Sequence, residues 1–156
     1  MANATCLDGE ESFLSCTVED GRKTLSVCLA GETATYRFGP RGGAPELEMV
    51  RDIGLVDYTP WAGVGRAIWE EVVFHNGSYS YLVYGSIDRL PPVDDDGVLV
   101  VDVGGGVTVM RSGQELAAFD CDPGTSDFNY SEIVGEAKEA AGYCWDRNRF
   151  AWVLCN

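Results

Sequence analysis

The sequence predicts a mainly β protein: an antiparallel β-sandwich or barrel-like sheet with one C-terminal α-helix, stapled by disulfides. Three observations carry that expectation. Short runs of β-type residues recur between clusters of Gly, Pro, Asn and Asp, the pattern of strands joined by turns. A single segment near the C-terminal end repeats apolar residues at helical spacing. Six cysteines occur in 156 residues. Their number is even, no C-x-x-C pair occurs and none sits at zinc-finger spacing, so they read as disulfides formed in an oxidising compartment.

The elements follow in chain order. Phe13 to Val18 and Thr24 to Leu29 are strand-like runs around Glu19-Asp20-Gly21-Arg22-Lys23, where Asp-Gly signals a hairpin turn. Thr33 to Phe38 alternates and stops at Gly39-Pro40-Arg41-Gly42-Gly43, and Glu46 to Val50 is a further short strand. Ala67 to Phe74 and Tyr79 to Ile87 form the clearest hairpin, turned at His75-Asn76-Gly77-Ser78, because Asn-Gly tolerates positive φ in a two-residue turn. Leu90 to Gly97 is an acidic loop. Val98 to Val103, Val107 to Arg111 and Leu116 to Phe119 form a meander broken at Gly104-Gly105-Gly106 and at Ser112-Gly113. The helix is capped by Asn129, with Glu132 completing a capping box. Its stripe runs through Ile133, Val134, Ala137, Ala140, Ala141 and Cys144, and Gly142 ends it. Trp145 to Asn156 is a final apolar segment in which Phe150, Trp152 and Leu154 alternate.

This layout implies a disulfide pairing. Cys16 and Cys28 sit on the two arms of the first hairpin, Cys121 and Cys144 bracket the helix, and Cys6 and Cys155 remain. The expected bridges are therefore Cys16–Cys28, Cys121–Cys144 and Cys6–Cys155. The length predicts one β-rich domain over residues 1–156, large enough to bury a core of its own.

The formal charge is −14, from 11 basic and 25 acidic residues. That balance repels nucleic acid and anionic membranes and steers cationic partners toward the surface. No stretch approaches the roughly 18 apolar residues that span a bilayer. Met1-Ala2-Asn3-Ala4-Thr5 reads as a start codon placed on a mature sequence whose signal peptide has been removed. The predicted location is periplasmic or secreted, as a monomer or homodimer.

Catalytic signatures are weak. His75 is the sole histidine and stands beside a turn, with no G-x-S-x-G elbow in the chain. Gly104-Gly105-Gly106 lacks the Gly-Lys-Ser/Thr of a phosphate loop. Asp94-Asp95-Asp96-Gly97 resembles part of a calcium loop, but Pro92 and Val103 fall where the first and last ligands belong. It reads as a solvated acidic loop, and Asp120, Asp122 and Asp127 invite the same reading. No cofactor, metal or enzymatic activity is expected.

Binding signals are stronger. Asn76, Gly77, Ser78, Tyr79 and Tyr81 place small polar and aromatic residues at a hairpin tip, a combination that gives rigid contact area and adaptable hydrogen bonding. Side-chain alternation sets Tyr79, Tyr81 and Val83 on one face and Ser80, Leu82 and Tyr84 on the other. Tyr84 is assigned to the core, and Tyr79 and Tyr81 to either the core or a contact surface. Tyr58, Trp61 and Trp69 add aromatic material, and Gly63 and Gly65 suggest a mobile loop.

With its Cys-bearing hairpin (Phe13 to Cys28) and its Gly-Ser-Tyr-Ser-Tyr tip, the chain resembles small bacterial periplasmic proteins, among them the periplasmic inhibitors of lysozyme. The resemblance covers Asn76 to Tyr84 and the general layout. Those inhibitors insert a loop bearing Ser-Gly and Tyr into the lysozyme cleft to engage its catalytic carboxylates. Carried onto this chain, the resemblance implies Ser78 and Tyr81 (or Tyr79) as inserted groups and Asn76 and Gly77 as turn formers. The expected function is then a periplasmic binding protein that inhibits a cationic cell-wall hydrolase, consistent with the acidic charge. An immunity protein against a secreted bacterial toxin and a non-catalytic structural component of the envelope are the alternatives.

Overall fold

A computed structural model describes residues 6–89, 101–130 and 133–155. The strands are β1 (Glu11–Val18), β2 (Lys23–Ala30), β3 (Thr33–Pro40), β4 (Leu47–Asp52), β5 (Asp57–Thr59), β6 (Ala67–Asn76), β7 (Tyr79–Arg89), β8 (Val101–Arg111), β9 (Gln114–Asp120) and β10 (Asp127–Phe128). They form two antiparallel five-stranded sheets, ordered β10-β1-β2-β3-β4 and β5-β6-β7-β8-β9. A 3₁₀ turn at Ile53–Leu55 passes the chain from the first sheet to the second. After β10 come the helix α1 (Ile133–Ala140) and a hairpin of β11 (Tyr143–Asp146) and β12 (Ala151–Leu154).

The two sheets share one core, as the period-2 patterning requires. Leu14, Val18, Leu25, Val27 and Tyr36 point inward from the first sheet, and Val72, Phe74, Val83 and Val107 from the second. Ring contacts bridge the layers. Tyr36 meets Phe74 and Tyr81 at centroid distances of 5.8 and 5.4 Å, and Phe38 meets Phe119 at 5.0 Å. β2 and β3 are buried on both faces. On their outer side Arg37 forms a bidentate pair with Glu10 (2.9 and 3.1 Å) and a further bond to Glu48 (2.7 Å). That pairing holds the Glu10 carboxyl below its ordinary range against the opposing effect of burial.

The first four strands lie where the sequence places them, while three later features differ. The triglycine is not a break: β8 runs unbroken through it, with Gly105 opposite Gly85. The reason is space. A Cβ on Gly85 would overlap the Phe128 ring, and one on Gly105 would come within 3.0 Å of Leu14 and 2.6 Å of the Tyr84 carbonyl oxygen. Glycine here lets the β1–β10 edge close onto β7 and β8. Only residues 101–103 of the expected Val98–Val103 strand lie within the described residues, and the Leu90–Gly97 acidic loop lies outside them.

The residues between Asn129 and the helix, Ser131 and Glu132, on which the expected capping box rests, lie outside the described residues. The Asn129 N–H donates to the Phe13 carbonyl at 2.9 Å, extending the β10 pairing. Gly142 ends the helical turn as expected, with φ of 97° and its N–H bonded to the Glu139 carbonyl. Cys144 belongs to β11 rather than the helix. The segment after Trp145 is not one run but the turn and return arm of the β11–β12 hairpin.

All three expected disulfides are corrected. The bridges are Cys6–Cys28, Cys16–Cys121 and Cys144–Cys155. Cys16 and Cys28 cannot meet because Cys16 is opposite Leu25, three residues from Cys28, which puts the two side chains on opposite faces of the sheet. Cys28 faces outward and takes Cys6 from the N-terminal segment. Cys16 faces the core and takes Cys121, which follows β9, so this bridge ties one sheet to the other. The remaining pair closes the C-terminal hairpin. Asp122, beside Cys121, accepts hydrogen bonds from Thr17 Oγ1 (2.8 Å) and the N–H groups of Asp20 (3.0 Å) and Gly21 (2.7 Å). These bonds hold its carboxyl below the usual range and make it a clamp on the β1–β2 turn.

Candidate functional site

The β6–β7 hairpin ends in a two-residue turn, one position later than expected. Asn76 pairs with Tyr79, so Gly77 and Ser78 are the turn residues. Positive φ occurs at Gly77 (62°) and not at Ser78, the pattern of a II′ turn with glycine first. The neighbouring β8–β9 turn is Ser112-Gly113, both with positive φ (51° and 83°). The Ser112 N–H donates to the Ser78 carbonyl at 2.9 Å, which locks the two tips side by side. Asn76, Gly77, Ser78 and the run 111–115 are exposed.

The tip tyrosines both pack against other side chains. Tyr81 points inward and packs on Tyr36 and the core, where burial raises its phenol pKa. Tyr79 is half-buried under the Arg111 guanidinium, 5.5 Å from its ring centre. Arg111 is thereby fixed on the exposed tip beside Ser112 and Ser78. Tyr84, assigned to the core, lies instead on the solvent side of the second sheet, because it alternates with the inward Val83 and Gly85; its hydroxyl donates to Asp120 at 3.1 Å.

That solvent side also gathers a polar trio. His75 Nε2 is 2.7 Å from Asp57 Oδ2, and Ser80 Oγ is 3.4 Å from His75 Nδ1. The residue types are those of a catalytic triad. The setting is an open sheet face with His75 half exposed and Asp57 more so, and the Ser80 backbone is paired on both sides, with His75 and Met110. The trio is a cross-strand polar network. Cys6, Glu10 and Cys28 also converge within 4.8 Å, but both sulfurs are bonded to each other and Glu10 is engaged by Arg37.

The molecule also holds a concavity that no sequence pattern pointed to. The β5–β6 connection, α1 and the C-terminal hairpin enclose a cleft of about 460 Å³, walled by Tyr58, Trp61, Trp145, Phe150 and Trp152 with Glu139 and Arg147 among its lining residues. Trp145 contacts Phe150 edge-on (5.1 Å) and Trp152 (5.5 Å), and Trp152 stacks on Tyr58 (6.0 Å). Tyr58 donates to the buried Glu70 at 2.6 Å, and Glu70 also accepts the Trp61 N–H. Lys138 is buried behind Trp152, donating to the Ile53 carbonyl at 2.9 Å, and burial lowers its pKa against the raising effect of Asp57. The Gly63–Gly65 loop, expected to be mobile, is tied down: Arg89 donates to the carbonyls of Arg66 and Gly65, and Trp61 Nε1 to that of Val64. Of the three aromatic residues singled out from sequence, Tyr58 and Trp61 line this cleft; Trp69 is exposed on β6. The signal that could have found it is the aromatic density of Trp145 to Trp152 within the final apolar segment.

No protein-family model, curated protein or solved structure matches this chain. Among the described residues, no helix is long and apolar enough to cross a membrane. Three disulfides place the protein outside the reducing cytoplasm.

Proposed function

We propose that this is a periplasmic or secreted binding protein that inhibits a cationic cell-wall hydrolase by inserting its paired β6–β7 and β8–β9 tips into the enzyme's cleft. One observation carries the reading: two Ser/Gly turns are bonded to each other through Ser112 and Ser78, with Arg111 held over Tyr79 beside them. A catalytic cleft of this enzyme class contains carboxylates. Hydroxyls and a guanidinium are the groups that hydrogen-bond carboxylates strongly, and a tip whose turns are already fixed loses little entropy on insertion. The formal charge of −14 supplies long-range attraction to a cationic enzyme, while Arg111 supplies the opposite local charge where the enzyme's own carboxylates lie. In this arrangement Tyr79 and Tyr81 stiffen the tip, and Ser78, Ser112 and Arg111 make the contacts.

The test is lysis of bacterial walls by lysozymes of different structural types, with the oxidised protein at low and moderate salt. Type-selective inhibition that weakens with salt is expected. Arg111→Ala combined with Ser78→Ala should weaken it by roughly a hundredfold or more, the scale of losing two charge-assisted contacts at about 1.5–3 kcal/mol each. Inhibition that survives both substitutions unchanged would remove the tips from the interface. Failure against every lysozyme type would overturn the lysozyme assignment.

A further inference from the structure

We propose that the aromatic cleft beside the C-terminal hairpin is a saccharide-binding site that stacks pyranose rings on Trp145, Phe150 and Trp61, with Arg147 and Glu139 hydrogen-bonding the ring hydroxyls. This site shares no residue with the paired tips and does not depend on them.

Four features converge on it. Its volume, about 460 Å³, lies within the range of small-molecule sites. An adjoining hollow of about 220 Å³ shares Tyr58, Trp145, Phe150 and Trp152, so the same rings offer a second subsite reaching Lys138. The indole N–H groups of Trp61 and Trp152 are already spent on the backbone carbonyls of Val64 and Tyr58. Those two rings therefore present apolar faces, which suit the C–H face of a sugar. Phe150 completes the argument. It is 62% exposed and holds a φ of 55°, a conformation that strongly favours glycine or asparagine and that a bulky residue adopts only under strain. It is the last residue of the four-residue turn between Asp146 and Ala151, where glycine would fit without strain. An exposed ring kept there against its backbone preference indicates that the ring itself is used.

The charges select the ligand class. A cage for a quaternary ammonium would combine the rings with negative charge alone, whereas this lining pairs Glu139 with Arg147. A carboxylate and a guanidinium together offer acceptors and donors to neutral polyols. A flat apolar wall with one acceptor group and one donor group matches a neutral sugar ring.

The test titrates chitotriose, cellotriose and maltotriose into the oxidised protein, following tryptophan fluorescence and indole N–H resonances. Sedimentation with insoluble chitin or cellulose then separates a binder of free oligosaccharide from a binder of polymer. Saturable shifts confined to Trp61, Trp145 and Trp152 are expected with at least one sugar. Phe150→Gly should weaken that binding roughly three- to tenfold, the scale of losing one aromatic contact. Its Tm should stay unchanged or rise, because glycine relieves the strained φ. Arg147→Ala should weaken binding without altering the fold. No saturation by any of the three sugars at about 10 mM, near the limit of useful affinity, would overturn the proposal. So would sugar binding undiminished in both variants.

Discussion

Removing the Cys16–Cys121 bridge should be the most costly of the three disulfide deletions. The bridge closes a loop of 105 residues and ties β1 to the end of β9. The chain-entropy relation assigns such a loop about 4.8 kcal/mol at 25 °C, against about 3.4 for the 22-residue separation of Cys6–Cys28 and about 2.8 for the 11 of Cys144–Cys155. Cys16 is buried in the core, so truncation to alanine also leaves a small void; Cys144 and Cys155 are exposed and leave none. The assay is urea unfolding at 25 °C of three double-alanine variants, each keeping its other two bridges, followed by tryptophan fluorescence. Cys16→Ala with Cys121→Ala should lose roughly 2 kcal/mol more than Cys144→Ala with Cys155→Ala, and its m-value should rise because the longest constraint on the denatured chain is gone. Since whole domains are stable by only about 5–15 kcal/mol, that variant should be close to unfolding at room temperature. Equal or smaller loss than in the Cys144–Cys155 variant would refute the reasoning, since both loop length and burial then fail to rank the bridges.

Other consequences follow from the same geometry. Glu10→Gln should destabilise the protein by about 2 kcal/mol at pH 7, because Arg37 keeps only the half-exposed Glu48 as a charged partner. In the wild type the Glu10 carboxyl titrates lower folded than unfolded, so its contribution is complete above the unfolded value near 4.3 and is lost as pH falls through the lower folded value. Acid unfolding of the variant should lack that component, and a pH-independent difference between the two proteins would contradict the assignment. Gly85→Ala should cost about 1–3 kcal/mol by thermal or urea unfolding, because its Cβ meets the Phe128 ring. A neutral result would mean that β10 does not close on β7 in solution.

Periodicity and turn chemistry made most strands legible in the sequence. Thr33 to Phe38 and Ala67 to Phe74 appear where their patterns place them, because turn signals and side-chain alternation are local properties of the chain. Cysteine number likewise indicated three bridges and an oxidising compartment. Their pairing was not legible, since it depends on which sheet face each cysteine reaches: the four-residue turn Glu19–Arg22 sets Cys16 opposite Leu25, three residues from Cys28 and so on the other face. The triglycine is the same kind of case. Valines at 103, 107 and 109 keep one parity through it, yet only the approach of Leu14 and of the Tyr84 carbonyl explains why Gly105 between them carries no side chain. At the tips, Asn76 to Ser78 could be identified as a turn, but Ser112-Gly113 joined it only through strand order, and Tyr81 was taken into the core by Tyr36 across the sandwich. The aromatic cleft required three separated segments to converge, and no local pattern reports that convergence. Strand identity is written in near neighbours along the chain; pairing, close approach and the site are set by residues far apart in sequence that packing alone brings together.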